Sequence, residues 1–304
     1  MRTAPPRANR RRLRVRSRLR ALRSRVENRN RALPDFLILG AQKGGTSSLF
    51  RHLAALPQVM LVRSKEVHYF AEIPNPNNYL VLGPGWYRSH FPLRSEVQAA
   101  GAIVGEATPR YMVETIAMTR IARDLPDSRW IIVLRDPIER AQSHHTMFVK
   151  RAGEDRRFAD VVVRELELIA RGVTIPGTTD VVGFDRDYVG GGRYSEQLRV
   201  IGALRPDRPT LVLFSENLFE GHPASFALLH GFLGLPEPAS DPFPHANASE
   251  AKEELDAATT ARLQNFYARA NADLAEQLQS DRFLTVDPSD WPSWVVQEER
   301  VDDR

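Results

Sequence analysis

Short, nearly continuous apolar runs alternate along the chain with longer stretches in which apolar residues recur every three or four positions. The runs Phe36–Leu39, Val59–Val62, Ala102–Val104, Trp130–Leu134 and Thr210–Phe214 have the length and β-branched character of strands buried on both faces. Between them, Ser47, Leu49, Phe50, Leu53 and Leu56 form a helical stripe that Pro57 stops. Ile116–Asp124, Ala159–Ala170 and Ser195–Ala203 also read as helices. Strands that alternate with helices predict an α/β fold: a mostly parallel central sheet flanked by helices in a three-layer sandwich. A last helical stretch, within Glu250–Gln279, carries Leu263, Phe266, Tyr267, Ala270, Leu274 and Leu278 on one stripe, which is expected to pack on the sheet. Asn75–Pro92 and Gly172–Gly192, rich in glycine, proline or Asp, read as loops.

Composition changes this picture mainly at the N-terminus. The net charge of the 304 residues is +4, yet residues 1–31 hold 13 arginines against the single Glu27, so the tail carries +12 and the remainder −8. Residues 1–32 are therefore read as a basic, solvated tail and 33–304 as one domain. Val15, Leu19, Leu22 and Val26 would make the tail amphipathic if it folded, which suits an anionic membrane surface better than a specific nucleic acid. No apolar run approaches the ~20 residues of a membrane span, and no apolar leader follows the arginines. Zero cysteines exclude disulfides and thiolate metal sites and fit a cytoplasmic protein, peripheral at the membrane if the tail docks there.

The candidate chemistry begins at "FLILGAQKGGTSSLF", residues 36–50. Gly40 and Gly45 have the spacing of a nucleotide-binding phosphate loop, G-x-x-x-x-G-K-[ST], but Thr46 stands where the lysine belongs and Lys43 lies inside the loop. Lys43, Gly44, Gly45, Thr46, Ser47 and Ser48 offer a cation, backbone amides and hydroxyls to an anion at a helix N-terminus. A magnesium-dependent enzyme would place a carboxylate after the strand Trp130–Leu134. Here Arg135 follows that strand, Asp136 precedes Pro137, and Ser143 comes eight residues after Arg135. Arginine suits a phosphate rather than a metal, so two anionic groups and no metal are expected. His144 and His145 diverge on a helix and make no metal set by themselves.

These segments resemble the sulfotransferases that use 3′-phosphoadenosine 5′-phosphosulfate (PAPS) as sulfuryl donor. "GAQKGGTSSL" is similar to their 5′-phosphosulfate loop and "IIVLRDPIERAQSHH" to their 3′-phosphate motif. The resemblance implies a P-loop-like fold, with Lys43 meeting the bridging oxygen and leaving phosphate, and Arg135 and Ser143 holding the 3′-phosphate. "KEVHYF", "GPGWYRSHFP", "GEATPRY", "RYSEQL" and "LVLFSENL" resemble segments of the heparan sulfate and other carbohydrate sulfotransferases and their bacterial relatives, over roughly Pro34–Tyr267. The chain departs from those acting on heparan sulfate at Ala107, where they carry lysine, and at Ala71, where some carry an acid beside which this chain has Glu72. It also lacks the cysteine pair near their C-terminal loop, which leaves cofactor contacts around His245–Lys252 unassigned.

The reaction implied is in-line sulfuryl transfer to a hydroxyl or amine of a carbohydrate or other small acceptor, with Glu66 as base, His68 as its helper and Lys43 stabilising the leaving group. If the segment is extended, Glu66, His68 and Phe70 share one face. Glu106 is a rival base or an orienting group. Trp86, Tyr87 and His90 line an acceptor cleft or serve as loop packing, and Arg63, Arg88 or Arg110 could form a basic groove. A P-loop kinase or other phosphotransferase, and a non-enzymatic anion-binding protein, are the alternatives.

Overall fold

The computed structural model describes residues 28–72, 79–172, 187–238, 243 and 254–296. The basic tail up to residue 27, most of the segment at Gly172–Gly192 and the segment around His245–Lys252 lie outside the described residues.

Among the described residues six strands, β1 (Phe36–Gly40), β2 (Val59–Leu61), β3 (Ile103–Ala107), β4 (Arg129–Leu134), β5 (Thr210–Phe214) and β6 (Phe283–Leu284), form one sheet in the order β2-β3-β1-β4-β5-β6. Every neighbouring pair is parallel. The helices are α1 (Thr46–Ala54), α2 (Tyr79–Arg88), α3 (Arg94–Ala100), α4 (Thr115–Asp124), α5 (Pro137–Ala152), α6 (Phe158–Ala170), α7 (Tyr194–Leu204), α8 (Ser215–Phe219), α9 (Pro223–Leu233) and α10 (Ala257–Leu278).

Alternate strand residues serve opposite layers, as the pleat dictates. Leu37, Leu39, Ile132, Leu134, Val212 and Phe214 pack with Met118, Ile121, Leu198, Ile201 and Leu274 from α4, α7 and α10. Phe36, Ile38, Ile131, Val133, Leu211 and Leu213 pack with Leu49, Leu53, Leu229 and Leu233 from α1 and α9. The expected three-layer α/β sandwich, P-loop-like in its first strand, loop and helix, is what forms.

Two expectations need correction. The stretch read as a loop before Pro92 contains α2, two helical pieces joined at Gly83, whose φ of 69° breaks the helix before Pro84. Burial of Tyr87 and Phe91 in the core outweighs the local glycine and proline signals. The stripe of α10 packs chiefly on other helices: Leu263 and Tyr267 join a separate cluster with Phe148, Phe158 and Val162 of α5 and α6, and only Leu274 and Leu278 reach the core beside the sheet.

The sheet order places the site. After β1 the chain moves to β2 and β3 on one side, and after β4 to β5 and β6 on the other. Ligands of open α/β sheets bind at such a switch point, beyond the strands' C-terminal ends. The loop after β1 and Arg135 after β4 flank it.

Candidate active site

The loop after β1 is fastened to β4: Ala41 N donates to the Val133 carbonyl at 2.8 Å, and a Cβ at Gly44 would collide with that same oxygen. Only glycine fits at position 44, because the backbone there runs against the neighbouring strand. Lys43 and Gly45 take left-handed conformations, φ 68° and 95°, which turn the chain into α1. Among the described residues no side chain caps α1. The N-terminal amides of an α-helix point out along its axis; here Ser48 N donates to the Gly45 carbonyl at 2.9 Å, and the helix dipole adds partial positive charge. Burial above all, and then the charges of Arg151, Arg135 and Lys65, lower the pKa of Lys43 below the ordinary lysine value. These cations therefore act on one region.

Arg135 emerges from β4 and is held from behind, its carbonyl accepting from Tyr194 Oη at 2.8 Å. Its guanidinium pairs with Glu139 one turn into α5, with Nε 3.1 Å from Oε2 and Nη2 bonded to the same oxygen. Asp136 accepts from the amides of Ile138 and Glu139 as the N-cap of α5, and its own amide donates to Glu216 Oε1 at 2.8 Å. Ser143 lies half-buried on α5 and makes no hydrogen bond to Arg135 among the described residues. His144 is buried against Phe148 and Tyr188, and desolvation, helped by Arg140 and Lys43, keeps its pKa well below the usual histidine value. His145 Nε2 lies 2.9 Å from the Arg156 carbonyl, a structural contact.

Glu66 sits across the loop. Its Oε2 is 3.4 Å from His68 Nε2 and its Oε1 is 3.3 Å from Lys65 Nζ. Burial pushes its pKa up, but the bond to His68 and the charge of Lys65 outweigh that and hold it below the ordinary glutamate value. The two residues meet for a reason other than strand alternation: both are left-handed, with φ of 66° at Glu66 and 54° at His68. Phe70, placed by alternation on their face, is instead in the core. Three non-glycine residues in this conformation, Lys43, Glu66 and His68, carry the candidate chemistry. Such local strain costs of order 1–3 kcal/mol each and concentrates where function requires it.

Glu106 is separated from the base role by burial. It is 0% exposed, while the Glu66 side chain is 34% exposed. Thr108 Oγ1 at 2.8 Å, Tyr111 Oη at 3.0 Å and Tyr87 Oη all donate to it. Desolvation raises its pKa against those three bonds. It orients the aromatic layer beneath "KEVHYF" and is closed to an acceptor. Trp86 and Tyr87 belong to the same packing, stacked on Tyr69 at 6.1 and 4.8 Å, and His90 contacts the edge of Trp86 at 4.2 Å. Of the basic groove residues, Arg110 is buried and paired with Glu114, Arg88 donates to the Arg31 carbonyl at 3.1 Å, and Arg63 is exposed. Lys65 and Arg151 are the site cations that sequence reading missed. The signal for Lys65 was its adjacency to Glu66; for Arg151 it was the four-residue ladder Arg135, Glu139, Ser143, Met147, Arg151.

A glycine loop with its lysine displaced inward, and an arginine at the end of the neighbouring strand, place the chain in the P-loop-like α/β fold class. No family model matches the chain. It is 33% identical over 120 residues to the membrane-associated sulfotransferase kil1 of Dictyostelium discoideum, covering 40% of this chain and 24% of that protein. With human heparan sulfate glucosamine 3-O-sulfotransferase 3A1 it shares 26% identity over 210 residues, 69% of this chain and 46% of that one. With human heparan sulfate glucosamine 3-O-sulfotransferase 6 it shares 35% over 121 residues, 40% and 32% of the two chains. The chain thus spans less than half the length of these curated relatives. In structure it matches a sulfotransferase from Alicyclobacillus acidocaldarius with a TM-score of 0.59 at 23% identity, over 82% of this chain and 97% of that one, which shows a shared fold. The resemblance to sulfotransferases read in the sequence holds.

Proposed function

We propose that the chain transfers the sulfuryl group of PAPS to a hydroxyl or amine of a carbohydrate or other small acceptor. The observation that carries this reading is the pairing, across one switch point, of the loop that bears Lys43 and leads into α1 with Arg135, in a site whose other edge presents Glu66 held ionised by His68 and Lys65. PAPS supplies an activated sulfuryl group and a phosphate leaving group. Lys43 and the amides of Gly45, Thr46 and Ser47 neutralise charge growing on the bridging oxygen. Arg135 and Ser143 hold the 3′-phosphate that distinguishes this donor from ATP. Glu66 accepts the acceptor's proton as the new bond to sulfur forms and the bond from sulfur to the bridging oxygen breaks, releasing adenosine 3′,5′-bisphosphate.

The kinase alternative lacks support at the strand end, where Asp136 is already engaged as the α5 cap. Calorimetric titration decides between the readings. Adenosine 3′,5′-bisphosphate is expected to bind without metal and Arg135→Ala to weaken it at least about tenfold, consistent with a charge-assisted contact. Tight binding of ATP with magnesium and indifference to the bisphosphate would return the loop to the kinases. Because Glu139 occupies Arg135 in the free chain, Glu139→Gln is expected to tighten bisphosphate binding several-fold. Weaker binding in that variant would show that Glu139 helps to hold the ligand.

The names of the heparan sulfate relatives favour a carbohydrate acceptor. With Arg110 and Arg88 engaged inside the fold, the described surface favours a short acceptor over a long polyanion. No helix among the described residues is long and apolar enough to cross a membrane. Cytoplasmic residence, with the arginine-rich tail meeting anionic membrane surfaces, is part of the same proposal.

A further inference from the structure

Lys65 touches both halves of the site. Its ammonium donates to Ser47 Oγ, on the first turn of α1, at 2.7 Å, and lies 3.3 Å from Glu66 Oε1. In an extended strand neighbouring side chains leave on opposite faces, so Lys65 and Glu66 would not meet. The left-handed backbone at Glu66, anchored by its amide on the Ala107 carbonyl at 3.0 Å, brings them together. Lys65 thus sets an ammonium against the base at 3.3 Å.

Lys43 lies on the other side of the site, and the charge of Glu66 reaches it as the smallest of the influences on its ammonium. We propose that Lys65 is a positioning residue that holds Glu66 in register with the phosphate loop. This rests on the reading of Glu66 as the base. Lys65 bonds the base on one side and the helix that carries the donor amides on the other, so the two halves keep a fixed separation. His68 takes the second carboxylate oxygen, which fixes the plane of the group.

The test compares Lys65→Met and Lys65→Arg in the full chain. Carbon-13 NMR of protein labelled at the glutamate carboxyls, with Glu66 assigned by the resonance lost in Glu66→Gln, follows its titration without any turnover. Lys65→Met is expected to move the Glu66 midpoint to higher pH, because an opposite charge within hydrogen-bond reach favours the ionised form. Lys65→Arg should restore most of the change. An unmoved midpoint overturns the proposal whether or not the chain transfers sulfuryl groups.

In parallel, PAPS turnover in Lys65→Met should fall about tenfold or more, with its acid limb displaced to higher pH, while bisphosphate affinity changes less than about threefold. An affinity loss as large as the loss of turnover would make Lys65 a donor ligand and also overturn the proposal. Absence of transfer by the wild-type chain across the acceptors tried would count against the catalytic reading alone, since the midpoint still decides what Lys65 does to Glu66.

Discussion

Glu66→Gln is expected to lower turnover by about 10²- to 10⁴-fold, the usual contribution of a positioned general base, with bisphosphate affinity within about threefold of wild type. The substitution keeps the shape of the side chain and removes its ability to take a proton. Its contacts with Lys65 and His68 are partly exposed, so folding should change little. The pH dependence gives a second readout. The wild-type pKa is held below the ordinary glutamate value, so the base is ionised at neutral pH. The rate should fall only as pH drops through that lowered value, and Glu66→Gln should lose this acid limb along with the rate. Steady-state kinetics from pH 4 to 8 on both proteins checks it; wild-type turnover in the variant would remove Glu66 from the mechanism.

Lys43→Met is expected to cost about 10²- to 10³-fold in kcat, the range for losing one group that stabilises developing charge, and to weaken donor binding as well. Lys43→Arg should not restore the rate. The loop is pinned at Ala41 and closed at Gly44 by the Val133 carbonyl, and a left-handed residue there aims its side chain in one direction. A compact ammonium can approach a single bridging oxygen from that position, whereas a planar guanidinium spreads its donors over a wider fork. Single-turnover measurements with pre-bound PAPS separate chemistry from affinity. Full rescue by arginine would mean that the site needs only a positive charge and not this geometry.

The sheet was readable because its central strands are buried on both faces: five of the six described strands appear as apolar runs, and β5 begins and ends where its run does. The two-residue β6 has no period to read and exists through its pairing with β5. α9 is so evenly apolar that no stripe stands out in "PASFALLHGFL". α2 was hidden by Gly83 and Pro84. Within the site, the residues on the loops after β1 and β4 were legible because glycine spacing and strand ends announce where an anion meets backbone. The contact of Lys65 with Glu66 was not, since it depends on a positive φ at a glutamate, a backbone state that no residue type at that position signals. Glu139 was passed over for a similar reason: its role comes from Arg135 turning along α5, not from either residue alone.

The Arg135–Glu139 pair also bears on which anions this chain can admit. A carboxylate tethered one helical turn away behaves as a competitor at an effective concentration in the millimolar range or above. Chloride, bicarbonate or a lone carboxylate offers the guanidinium no more than Glu139 does and must also give up its freedom to bind. A dianionic group that simultaneously engages a second, distant cradle does better on both counts. The proposed 3′-phosphate site would thus stay shut to the common small anions of a cell and open to a molecule bearing two phosphates at the right separation, a filter built from one acidic side chain.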